Sequence, residues 1–98
     1  FLEGGLKAHP DHSGLWYFTG EFLVMKNDPA RAMAAYGKTI EFEKANIRAI
    51  AFSFCRIGQC QEKLGNPEKA AIAYQKALEI LPDYKDAAQG LNRTARRT

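Results

Sequence analysis

Apolar positions in the second half of this 98-residue chain recur at three- and four-residue steps, the period of a helix with one buried face. Phe54, Ile57, Gly58 and Leu64 mark one such face, and Ala70, Ala73, Tyr74, Ala77 and Leu78 mark a second. Gly65-Asn66-Pro67 separates the two. Glycine suits the left-handed residue that ends one helix, and asparagine suits the cap of the next. Proline fits a first helical position, where its missing N–H would be unpaired anyway. The pattern predicts a helical hairpin. After Asp83, the residues Tyr84, Ala87, Ala88, Leu91 and Ala95 draw one more apolar stripe, while Lys85, Asp86, Gln89, Asn92, Arg93 and Arg96 lie elsewhere. This predicts a closing helix with a polar back.

The hairpin occurs twice. A shift of 38 positions aligns Trp16 with Phe54, Gly20 with Gly58, Asp28-Pro29 with Asn66-Pro67, Ala32 with Ala70, Ala35 with Ala73 and Tyr36 with Tyr74. A shift of 72 aligns Leu6 to Asp11 with Leu78 to Asp83. The chain therefore divides into the second helix of an incomplete unit (1–12), two whole units (13–50 and 51–84) and a closing helix with a basic tail (85–98). Gly20, Gly58, Ala32 and Ala70 fall where antiparallel helices approach, and Trp16, Phe54, Tyr36 and Tyr74 fill the space opposite, as close packing requires. The unit 13–50 carries four extra residues in the stretch from Glu41 to Ala51, which holds neither Gly nor Pro. Four residues are about one turn, so one or both flanking helices should run roughly 6 Å longer, with the break at Asn46. Ile47, Ile50 and Phe54 should then be exposed or specially packed.

An aromatic, an apolar residue and Gly, then Ala, an aromatic, Ala and Pro over about 34 residues resembles the tetratricopeptide repeat. Residues 51–84 match best, through Phe54, Ile57, Gly58, Ala70, Tyr74, Ala77 and Pro82. The unit 13–50 keeps Trp16, Gly20, Ala32 and Tyr36, but has Thr39 where alanine is usual and lacks the closing proline. The resemblance implies an all-α solenoid of antiparallel helix hairpins with a C-terminal capping helix. It also implies a protein–protein interaction scaffold that holds a peptide or protein segment in a concave groove lined by the first helix of each unit. The positions carried over are Gly14, Tyr17, Phe18, Glu21, Val24 and Met25, then Phe52, Cys55, Arg56, Gln59, Glu62 and Lys63. Tyr17, Phe18, Val24, Met25 and Phe52 are apolar for a solvent face, and such patches tend to be contact sites. One version of the groove clamps a C-terminal carboxylate; Arg56 stands at its arginine place, but Phe18 replaces an asparagine and Phe52 a lysine. The lining favours an apolar or amphipathic segment. The alternative is a structural or self-assembly segment of a larger array, in which these side chains pack on neighbouring helices.

Composition narrows the classes. The net charge of +3 is mild, and Arg93, Arg96 and Arg97 supply part of it, so no nucleic-acid partner is predicted. No apolar run approaches the roughly 18 residues of a membrane span, and no leader pattern is visible; a cytoplasmic location is the expectation. Cys55 and Cys60 are five apart, on different sides of a helix, and read as packing residues in a reducing compartment. His9 and His12 flank Pro10 at a turn, too sparse a set for a metal. No cofactor is implied, and no paired nucleophile and base suggests an enzyme. Gly4-Gly5 reads as close packing or fraying, not a phosphate loop. The chain opens in mid-repeat, which predicts a piece of a longer array. Phe1, Leu2 and Leu6 then leave an open N-terminal edge through which copies would self-associate.

Overall fold

The computed structural model describes residues 13–43 and 46–97. Five α-helices account for nearly all of them: α1 (Ser13–Met25), α2 (Pro29–Phe42), α3 (Ile47–Lys63), α4 (Pro67–Ile80) and α5 (Lys85–Arg97). There is no strand among the described residues. Each helix packs against the next in sequence, and α5 also touches α3. The result is the expected all-α stack of antiparallel hairpins, closed by α5.

The turns inside the hairpins follow from their residues. Gly65 has φ +81 and Asn27 has φ +60, both left-handed, a conformation open to glycine and tolerated by asparagine. Around Asn27, Asp28 N donates to Leu23 O and Asn27 N to Val24 O, each at 2.9 Å; around Gly65, Asn66 N donates to Gln61 O at 2.8 Å and Gly65 N to Glu62 O at 3.0 Å. These paired bonds satisfy the last carbonyls of α1 and α3. Asp28 caps α2 by accepting from Arg31 N. Asn66 departs from expectation: it occupies the cap position of α4 without a capping bond, and its amide donates to Gln61 Oε1 at 3.0 Å instead.

The four-residue insertion has one location. α2 and α4 are both 14 residues long and in register at a shift of 38. At a shift of 34 the start of α5, Lys85, corresponds to Ala51, yet α3 begins at Ile47. The extra turn therefore belongs to the start of α3 alone. Asn46 is the break, as its sequence context predicts, and its Oδ1 accepts from Ala49 N at 3.2 Å. The added turn exposes Ile47 and leaves Ile50 half-buried. Phe54 packs against the core, with Lys76 Nζ 5.9 Å from its ring centre.

The core is built from small residues and tyrosine. One cluster joins Ala32, Tyr36 and Cys60, with Tyr17, Leu23, Val24, Met33 and Ile57 around it. The other joins Cys55, Ala70, Tyr74, Ala77 and Ala87, with Phe54, Leu78, Tyr84 and Leu91. A Cβ on Gly20 would lie 2.7 Å from the Tyr36 ring, and one on Gly58 would lie 2.8 Å from Tyr74. The glycines are thus required by close approach. Thr39, in place of the usual alanine, is buried and turns its hydroxyl to Ala35 O at 3.4 Å.

Candidate functional site

The first helices of successive units meet edge to edge through charged side chains. On α1, Tyr17, Glu21 and Val24 fall at four- and three-residue steps, so they share a face; on α3, Phe52, Arg56 and Gln59 do the same. Arg56 Nε lies 3.0 Å from Glu21 Oε1, an ion pair without hydrogen-bond alignment. Its Nη1 donates to Gln59 Oε1 at 3.0 Å. The Tyr36 hydroxyl donates to the same Glu21 oxygen at 2.6 Å. Burial opposes the charge on Arg56, but the Tyr17 hydroxyl and the Glu21 carboxylate outweigh it and hold the guanidinium pKa above its ordinary value. Burial, together with the bond to Glu21, keeps the Tyr36 phenol protonated well above its usual range.

A second such cluster links α3 to α5. Arg93 grips Glu62 with two parallel bonds, Nη2 to Oε1 at 2.7 Å and Nε to Oε2 at 2.9 Å, the planar fork that favours arginine over lysine. The Tyr74 hydroxyl donates to Glu62 Oε1 at 2.5 Å. Burial and that bond push the Tyr74 phenol up as well. Tyr84, beside the start of α5, sets its ring 5.1 Å from Phe52.

Comparison with known proteins now bears on this geometry. A family model described as "Tetratricopeptide repeat" matches residues 51–84. Residues 51–84 carry the tetratricopeptide pattern. The crystal structure of MamA is similar in fold at 17% identity and a TM-score of 0.47, over 97% of this chain and 73% of that one. No curated protein matches the sequence.

The groove residues expected from sequence differ in burial and in partners. Tyr17, Glu21, Arg56 and Gln59 come together as one half-buried constellation, with Phe52 a turn before Arg56. Val24, like Tyr17, is half-buried and packs against the first core cluster. Cys55 is fully buried in the second, so it has no surface to offer a partner. Burial pushes its thiol and that of Cys60 upward, which makes both poor nucleophiles. Glu62 is drawn inward by Tyr74 and Arg93, and its side chain is 11% exposed. Lys63 is exposed at the end of α3. Phe18 and Met25, three residues before and four after Glu21, are 64% and 83% exposed.

Sequence reasoning missed three participants. Tyr36 and Tyr74 read as core landmarks, but a buried tyrosine hydroxyl needs a partner, and the acids of the preceding helix were the available ones. Arg93 read only as part of the polar back of the closing helix; it is the arginine that fastens α5 to Glu62. His9, His12, Gly4-Gly5 and the edge residues Phe1, Leu2 and Leu6 lie outside the described residues. Among the described residues, no helix is long and apolar enough to cross a membrane.

Proposed function

We propose that the face formed by α1 and α3 holds an apolar or amphipathic protein segment, laid across Tyr17, Glu21, Phe52, Arg56 and Gln59. The tetratricopeptide repeat supports a protein-interaction scaffold as the general class. The observation that favours this ligand is a polar centre already matched within the protein, flanked by two partly exposed aromatic rings. Arg56 is engaged by Glu21 and Gln59. A free carboxylate would have to compete with Glu21 for it, which disfavours a terminal-carboxylate clamp. Tyr17 and Phe52 offer rigid amphipathic contact area. Gln59 adds an amide for a passing backbone.

Selection of peptides from a displayed random library on the immobilised chain tests the reading. Wild type should enrich segments with apolar side chains at regular spacing. A Phe52→Ala, Gln59→Ala double variant should bind the selected peptide at least about tenfold more weakly, with unchanged helical circular dichroism. Tyr17 is left in place, because it also packs on Tyr36 at 5.5 Å between ring centres. Equal affinity of wild type and variant would remove this face from consideration.

A further inference from the structure

The face formed by α1 and α3 does not end at α3. Arg56 Nε lies 3.0 Å from Glu21 at the seam of α1 and α3, and Arg93 reaches Glu62 at the seam of α3 and α5. The first helices therefore share one surface, and α5 is its last strip. Shifts of 38 and 34 align the three helices residue by residue. Glu21, Gln59 and Arg93 make one row, Val24, Glu62 and Arg96 make the next, and Met25 and Lys63 begin a third. Each row runs from an acidic or apolar residue on α1 to a cation on α3 or α5.

The charges are not matched equally along these rows. At the centre, Arg56 is engaged by Glu21 and Gln59. On α5, Gln89, Arg93 and Arg96 fall at four- and three-residue steps, so they share a face, and all three are exposed. With Asn92 they line an open depression. Arg93 binds Glu62 through Nε and Nη2, and its Nη1 takes no part in those bonds. Arg96 and Lys63 are exposed, and among the described residues no ion pair engages either. The one acid of α5, Asp86, stands ten residues before Arg96, about 15 Å along the helix. The centre of the surface is thus aromatic and internally matched, while its far end is polar and positive.

Given the groove reading above, on which this rests, we propose that the bound protein segment is acidic at the end that crosses α5. Its apolar side chains lie on Tyr17 and Phe52, and Asp or Glu side chains beside them meet Arg96, Lys63 and Nη1 of Arg93. Charge complementarity selects this occupant. Cations gathered at one end of a face attract carboxylates and fix which way round a segment lies, which gives specificity more than affinity. A nucleic acid fits less well, because Glu21 and Asp86 lie on the same surface and a phosphate backbone needs a continuous basic track. Cations in the last turn of α5 also complement its helix dipole, so the decisive measurement is ligand choice and not stability.

A random peptide library is displayed in parallel to wild type and to an Arg96→Glu variant. Both should enrich the same apolar spacing, since Arg96 lies apart from Tyr17, Phe52 and Gln59. Wild type should also enrich Asp or Glu on one side of that spacing, and Arg96→Glu should lose this bias. In the peptide that wild type selects, changing those acids to Asn or Gln should weaken binding roughly fivefold at low ionic strength. The difference should fade in about 0.5 M salt. The peptide change leaves the protein untouched, so it remains decisive if Arg96→Glu misfolds. Apolar enrichment by wild type without an acidic bias overturns the proposal and leaves the groove reading intact. No enrichment by either protein removes the groove itself, and this proposal with it. Displacement of the peptide by an equimolar single-stranded oligonucleotide of mixed sequence also overturns it, because a nucleic acid would then be the occupant.

Discussion

The two junctions between units use the same three chemical groups in different places. At the first, Glu21 is the ninth residue of its unit and Arg56 the sixth of the next; at the second, Glu62 is the twelfth and Arg93 the ninth. Acid and base have each moved by three residues, almost one turn, so the pair still meets. In both, a buried tyrosine of the intervening second helix donates its hydroxyl to the acid. The movement has a cause at the sixth position. Where α3 has Arg56, α5 has Gly90, and a Cβ on Gly90 would overlap the Tyr74 ring. Tyr74 is therefore held between Gly58 and Gly90, while Tyr36 has Gly20 on one side and a flexible arginine near the other. The pairing chemistry is what persists from junction to junction, and the residue positions that supply it are free to move together.

The largest contrast should come from the tyrosines. Tyr74→Ala should cost about 4 kcal/mol and Tyr36→Ala less, measured from urea denaturation midpoints. The walls around Tyr74 are glycine backbone in two helices and cannot close on the cavity, whereas the Arg56 side chain can swing toward the space left by Tyr36. An equal or greater loss for Tyr36→Ala would show that the two pockets do not differ in this way.

Next in size is Gly90→Ala. The added methyl meets the Tyr74 ring, and overpacking of this kind costs about 1–3 kcal/mol. In the Tyr74→Ala background the clash is gone, and the same change should become neutral or stabilising by about 1 kcal/mol, because alanine is the better helix former. A double-mutant cycle reads the difference directly. Additive effects would mean that Gly90 is not there for Tyr74.

The smallest effects belong to the arginines. Arg93 is half exposed, so Arg93→Ala should cost only about 1 kcal/mol, and Arg56→Ala about the same or less. Both losses should shrink in concentrated salt. The distinguishing measurement is where protection is lost: Arg93→Ala should speed amide exchange in α5, and Arg56→Ala should leave α5 untouched. Faster α5 exchange in both variants would mean that the junctions are not independent.

Much of this architecture was legible before any coordinates. The helical period, the Gly-Asn-Pro and Asn-Asp-Pro turns and the 38-residue register are local or repetitive signals. They depend on backbone preferences that each residue carries with it. Asn46 illustrates this, since an asparagine between two helical stretches has a cap to make wherever the helices pack. The candidate face was legible only in part. The resemblance named Tyr17, Glu21, Phe52, Arg56 and Gln59, but it also named Cys55 and Glu62, which the fold draws inward. A position count assigns side chains to one face of a helix. It does not say how far the neighbouring helix covers that face.

Local sequence thus fixed which segments coil, where they stop and which small residues let them touch. Tertiary packing chose the partners of Glu21, Glu62, Tyr36 and Tyr74, placed the extra turn in α3 and not α2, and buried Cys55. Those outcomes turn on distances between helices that are remote in sequence, where a shift of one turn exchanges a buried contact for an exposed one.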